Sequence, residues 1–286
     1  MSLFSILALA LWALATNAYA LAKRYFILPN KRWPLRMPFL GFAVCFGFYF
    51  FCTSYLAPSI ATNVLQLANA KEPDVTSLPI EVISTLQTLL MLLIIGTLFL
   101  FLALYPSISL RQIWKSAMGS PSTKIQDFRL GALTWLLAFP LVTLLGEFGD
   151  RFVNHFFGPH TYDQAAVQFI KETLPVPFAL AMALVSIVLL APILEELLFR
   201  GVLQNFLRDY VGPHSSIVLS ALLFTAFHYS PSQGYGNIPL LSALLVLGGY
   251  LGFLYERQGS LFATVGLHMT FNAVSALRII LNPATA

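Results

Sequence analysis

The stretch PFALAMALVSIVLLAPIL, residues 177–194, runs without a break into EELLFR, residues 195–200. A helix needs about 20 predominantly apolar residues to cross a hydrocarbon core of roughly 30 Å, and the first part meets that description up to its last turn. Two adjacent carboxylates, Glu195 and Glu196, and a guanidinium, Arg200, then stand where charge is hardest to keep. Ionisable groups at membrane depth are costly and mark function, so this one stretch predicts both a membrane fold and the place to look for its chemistry.

The rest of the chain agrees with the membrane reading. Of 286 residues, 58% are hydrophobic and 10% are charged, against roughly a quarter charged in an ordinary soluble domain. Eight apolar runs read as spans: Leu3 to Leu21, Pro38 to Leu56, Leu86 to Leu104, Leu130 to Leu145, Pro177 to Leu198, Ser215 to Tyr229, Ile238 to Tyr255 and Leu261 to Leu281. The expected fold is therefore all-α, a polytopic bundle of about eight transmembrane helices in a single membrane domain. The last three runs are short or carry His228, glycines, His268, Asn272 and Arg278. Helices of that kind are shielded by neighbours, which places the carboxy-terminal half inside the bundle.

Alternating eight spans across the bilayer sorts the basic residues. Lys23, Arg24, Lys31, Arg32, Arg36, Arg111, Lys115, Lys124, Arg129, Arg200, Arg208 and Arg257 fall on one side, and Lys71, Arg151, Lys171 and Arg278 on the other. Cytoplasmic loops collect lysine and arginine, so both termini are expected outside, with the protein multi-pass in a bacterial inner (cell) membrane. The net charge of +4 then reflects topology, and no nucleic-acid partner is expected. The first run has no basic segment before it and a positive cluster after it, as in an uncleaved span rather than a signal peptide. Cys45 and Cys52, seven residues apart in the second run, are too distant to bridge and are expected to be packing residues. The segment from Glu147 to Val176 holds Asp150, Arg151, His155, His160, Asp163, Lys171 and Glu172, and reads as a solvated loop with no defensible ligand spacing.

The polar residues of the carboxy-terminal half form a set. Glu196 and Arg200 lie four apart on one helical face and can pair, whereas Glu195 sits about 100° round and is the freer carboxylate. Pro192 removes one backbone donor just before them. His228 closes the next run, with Phe224 one turn earlier on its face. His268 and Asn272, again four apart, project from one face of the last. A carboxylate base, an imidazole to share its water and two donors for a developing oxyanion are what amide hydrolysis requires. Each element also has a plain structural reading: a helix-tying histidine, a clamp made of Glu196 and Arg200, and core packing for Phe224 and Phe271. It is the combination on three helices that favours a site.

These residues carry a family resemblance. Glu195 to Arg200 matches an EExxxR motif, Phe224 to His228 an FxxxH motif, and His268 to Asn272 an HxxxN motif. In this order and spacing they resemble the CAAX-protease and bacteriocin-processing (CPBP, or Abi) family of intramembrane proteases. The stretch Gly252 to Leu261 also resembles the turn before the family's last motif. The similarity covers about Pro177 to Ala276. On this basis residues 1–150 supply amino-terminal helices of the bundle and residues 173–281 a CPBP-like catalytic core. The resemblance implies an endopeptidase opening toward the cytoplasmic face, with Glu195 and His228 activating water, His268 and Asn272 stabilising the oxyanion, and Glu196 and Arg200 in support. The implied partners are a protein or peptide substrate, prenylated in eukaryotic relatives, and membrane lipids.

No cofactor is favoured. Zinc on Glu195, His228 and His268 is the alternative, since the family is often called a metalloprotease, but HExxH is absent and a ligating Glu195 would leave only Glu196 as base. Two other functions stay open at this level: a catalytically idle membrane scaffold or bacteriocin-immunity protein, and a proton-coupled transporter, which would favour the inverted repeats that are not seen here.

Overall fold

The computed structural model describes residues 2–29, 36–67, 78–106, 108, 110–116, 120–158 and 164–283. Among these residues the architecture is helical, with no strand and one isolated antiparallel backbone bridge, Lys115 to Ser260. In chain order the helices are α1 (Leu3–Ala22), α2 (Phe39–Val64), α3 (Ile80–Leu104), the short α4 (Leu110–Trp114), α5 (Lys124–Phe157), α6 (Ala165–Thr173), α7 (Pro177–Ala226), α8 (Asn237–Gln258) and α9 (Leu261–Leu281). Lys31, Arg32, Lys71, His160 and Asp163 lie outside the described residues.

Seven helical units among the described residues are long and apolar enough to cross a membrane, where the sequence suggests eight runs. The difference lies in α7, which joins the fifth and sixth runs. Within it Gly212 adopts φ 78° and ψ 173°, and Pro213 follows. Glycine takes that positive φ without a Cβ clash, and proline is tolerated where a new helix starts. The break divides α7 into arms 177–211 and 213–226. The second arm folds back on the first: Ser220 Oγ donates to the Phe199 carbonyl at 3.1 Å, and the Phe199 and Phe224 rings meet edge-on at 5.2 Å.

The expected loop from Glu147 is largely helical. Helix α5 continues to Phe157, so Asp150, Arg151 and His155 lie on it, and α6 carries Lys171 and Glu172. At 1.5 Å per residue, the 34 residues of α5 reach about 51 Å, beyond a roughly 30 Å core. Its polar ends therefore need not break the helix to find water.

Helix α5 packs along α8 and α9, with α1 on its outer side, while α7 packs against α2 and α3. The α5–α9 crossing depends on two glycines: a Cβ on Gly131 would run into the Ala263 carbonyl oxygen, and one on Gly266 into that of Phe128. Backbones this close fix the height of α9, and with it His268, relative to α5. Cys45 and Cys52 are free and buried among Phe46, Leu98 and Leu198, as packing residues.

Candidate active site

The first arm of α7 is not a uniform α-helix. Val185–Leu190 and Leu197–Gln204 are π-helical, and Glu195 and Glu196 end the short α segment Ala191–Glu196 between them. In the first π segment the Ala191 N–H donates to Ser186 O. The next donor in that register is Pro192, which has no N–H, so the carbonyl of Ile187 is left over. Asn272 Nδ2 reaches it from α9 at 2.9 Å. The second π segment is held in a similar way. Asn205 Nδ2 donates to Gly201 O at 2.8 Å, and Ser220 takes Phe199 O. Irregular backbone at membrane depth needs such internal partners, and π segments recur at functional sites.

Glu196 and Arg200 pair as the spacing predicts, Nη1 to Oε1 at 3.1 Å, with both side chains fully buried. The guanidinium also donates through Nη2 to the Gly248 carbonyl at 3.1 Å and lies 4.6 Å over the Phe224 ring. Burying two charges costs several kcal/mol per ion, and only dense hydrogen bonding offsets that. This pair supplies part of it: Glu196 Oε1 accepts from Arg200 and from His268 Nδ1 at 2.9 Å, while Arg200 Nε and Glu196 Oε2 have no partner among the described residues.

Glu195 turns away from the pair, and its side chain keeps a quarter of its surface open. Its Oε2 has no hydrogen-bond partner among the described residues, yet His228 Nε2 and His268 Nε2 each stand 3.8 Å from it. Both rings are turned by their other nitrogen. His228 Nδ1 contacts the Phe224 carbonyl at 2.8 Å, which only accepts, so Nδ1 carries the proton and Nε2 the lone pair. His268 Nδ1 faces the Glu196 carboxylate, which orients Nε2 toward Glu195 in the same way. Phe224 packs against both rings, at 4.7 Å from His228 and 6.0 Å from His268. Glu195 Oε2 and the two imidazole Nε2 atoms thus converge on one point. A water there can give one proton to Glu195 Oε2 and the other to His228 Nε2, leaving its oxygen lone pairs free to attack.

The donor set of Glu195, His228 and His268 has the chemistry of a zinc site, with Glu195 standing somewhat farther from each imidazole than two ligands of one bound ion stand from each other. Tetrahedral zinc with bonds of 2.0–2.1 Å needs ligand atoms roughly 3.4 Å apart, less than the 3.8 Å observed, and no three His, Cys, Asp or Glu among the described residues are arranged to hold a metal ion.

The structure brings Glu195, Glu196, Arg200, His228 and His268 together in one cluster. Asn272 is on the same face of α9 as His268, one turn along, with one amide proton committed to Ile187 and one uncommitted in this geometry. His268 can donate through Nε2 to an oxyanion only as an imidazolium, because Nδ1–H is already turned to Glu196.

Several supporting residues escape a motif reading. Arg200, Gln204 and Arg208 continue the four-residue spacing from Glu196, and on α8 Gly248, Gly252 and Glu256 repeat it. Gln204 Nε2 donates to Gly252 O at 2.9 Å and to Glu256 Oε1 at 3.1 Å, and Arg208 approaches Glu256 at 3.7 Å. Asn205 also bonds the Tyr255 hydroxyl at 2.7 Å. The signal for this ladder is the matched i, i+4 series in two neighbouring apolar helices, which the EExxxR pattern truncates at Arg200.

Comparison with known proteins places this cluster in one segment. Residues 177–274 match the family model described as type II CAAX prenyl endopeptidase, Rce1-like. The uncharacterized protein YpbD of Bacillus subtilis (strain 168) is 28% identical over 160 residues, 54% of this chain and 74% of that protein. An uncharacterized 24.3 kDa protein of Escherichia coli is 33% identical over 102 residues, 34% of this chain and 43% of its own length. The UPF0177 protein YbdI of Lactococcus lactis subsp. lactis (strain IL1403) is 33% identical over 107 residues, 36% of this chain and 55% of its own. No solved structure matches significantly. Glu195, His228, His268 and Asn272 all fall within the segment that matches this family model, in a multi-pass integral membrane protein.

Proposed function

We propose that the chain is an intramembrane endopeptidase that hydrolyses a peptide bond near the cytoplasmic membrane face without a metal. The observation that carries this reading is the approach of two imidazole Nε2 atoms to the unpartnered Glu195 Oε2, at 3.8 Å each. Glu195 accepts a proton from water while His228 Nε2 holds the second hydrogen, and the hydroxide oxygen forms a bond to the scissile carbonyl carbon. His268, as imidazolium, and the uncommitted Asn272 amide proton donate to the resulting oxyanion. When the tetrahedral intermediate collapses, the carbon–nitrogen bond breaks and the proton on Glu195 passes to the leaving amine. Glu196 and Arg200 hold the helix and orient His268. The substrate is a protein or peptide segment at the membrane, prenylated or not, and both termini of the chain lie outside a bacterial inner membrane.

The experiment is cleavage of a farnesylated CAAX-type peptide and of its unprenylated counterpart by the full chain in proteoliposomes, with and without a chelator. Wild type should cleave one of them equally well in both conditions, and His228→Ala should lose activity by about 10²–10⁴-fold, the size of a positioned acid–base contribution. Loss on chelation that zinc restores would overturn the metal-free mechanism. Cleavage of neither peptide by a folded wild type would favour the second reading, a non-catalytic scaffold or immunity protein built on the same fold.

A further inference from the structure

We propose that the open cleft lined by the ends of α3, α5 and α9 and by α4 binds the phosphate group of an anionic phospholipid. The cleft measures about 1150 Å³ and has two unlike walls. Arg111, Lys115 and Lys124 supply one. Phe99, Trp114 and Phe262 supply the other, with Phe99 5.5 Å from Trp114 and Trp114 5.2 Å from Phe262 between ring centres. Lys115 is neutralised by Asp127 at 2.5 Å, and Ser122 also bonds that carboxylate. Arg111 and Lys124 are exposed, so the cleft keeps two positive charges. The Lys124 ammonium stands 5.5 Å from the Phe262 ring, at the seam between the walls.

The depth of this cleft identifies its occupant. Phe99 is near the end of α3, Lys124 opens α5 and Phe262 is the second residue of α9, so all three membrane-spanning helices reach the lipid–water boundary here. A free anion would need the cations but not an aromatic wall beside them. A phospholipid needs both, with its phosphate at Arg111 and Lys124 and its upper chain along the rings. The cleft is separate from the catalytic cluster, because Phe262 is six residues, about 9 Å of helix, from His268. It is nevertheless tied to the same helix: Ser116 N donates to Gly259 O at 2.8 Å and Ser120 N to Gln258 O at 3.0 Å, pinning the cleft wall to the turn that starts α9.

The test is native mass spectrometry of the full chain released from micelles doped with phosphatidylglycerol or phosphatidylcholine. Wild type should retain one phosphatidylglycerol per chain in preference to phosphatidylcholine, and millimolar inorganic phosphate should not displace it. Arg111→Gln with Lys124→Gln should weaken retention about 25-fold, taking about fivefold per interfacial cation. Lys23→Gln with Arg36→Gln, two exposed cations elsewhere, should change it less than about twofold. Equal retention of both lipids, displacement by inorganic phosphate, or the same loss in both double variants would each overturn the proposal.

Discussion

Replacing Arg200 by methionine should expose the energetics of the buried pair. The substitution keeps most of the apolar stem and removes three contacts at once: the 3.1 Å bond to Glu196, the 3.1 Å bond to Gly248 O and the guanidinium over Phe224. Glu196 would then be fully buried with His268 Nδ1 as its remaining donor. Breaking one side of a buried pair costs about 3–5 kcal/mol, because the surviving charge is uncompensated. Glu196→Gln strands the guanidinium but leaves it Gly248 and Phe224, so a loss nearer 2 kcal/mol is expected. With both replaced, neither charge is stranded, and the double variant should be more stable than the sum of the singles predicts by about 2–3 kcal/mol. Equilibrium unfolding in mixed detergent micelles reads all four proteins. Losses that add to within about 0.5 kcal/mol would refute the reasoning, since they would mean that Glu196 and Arg200 are not energetically a pair.

The carbonyl of Ile187 gives a second cycle. Asn272→Ala should cost about 1–3 kcal/mol in the same unfolding assay by orphaning that acceptor, and the cost should shrink by about 1 kcal/mol in a Pro192→Ala background, where a backbone N–H is restored. In turnover, Asn272→Ala should also lower kcat by about 10²–10³-fold if its second amide proton serves the oxyanion; a change below tenfold would leave Asn272 as a backbone cap alone. Gly131→Ala should destabilise by about 1–3 kcal/mol or more because its Cβ meets the Ala263 carbonyl, whereas Gly47→Ala, with open space around it, should be neutral in a thermal-unfolding scan.

Particular residues show how much of this was legible in the sequence. The i, i+4 relation of Glu196 and Arg200 foretells their pairing because helical geometry alone fixes it, and the same rule turns Glu195 away. The meeting of Glu195 with His228 and His268 is not a local property. It depends on the Gly212–Pro213 break that folds one arm of α7 onto the other and on the glycine crossing that sets α9 against α5. A count of apolar runs finds both arms of α7 but not that one helical unit contains them. Pro192 reads as a weak point in the ladder, but the carbonyl it frees, and the choice of Asn272 to satisfy it, require the π register. The segment after Glu147 misleads for a simpler reason: its charges suggest a loop, and a helix that overshoots the bilayer accommodates them equally well.

The central claim is that Glu195 takes the proton of the attacking water. Glu195→Gln preserves shape and leaves the Glu196, Arg200 and His268 contacts in place, so single-turnover cleavage by this variant in proteoliposomes, with its unfolding temperature measured in parallel, addresses that claim alone. The account predicts a cleavage rate about 10²–10⁴-fold below wild type in a protein that unfolds at the same temperature within experimental scatter. A folded Glu195→Gln protein that cleaves at the wild-type rate would contradict it.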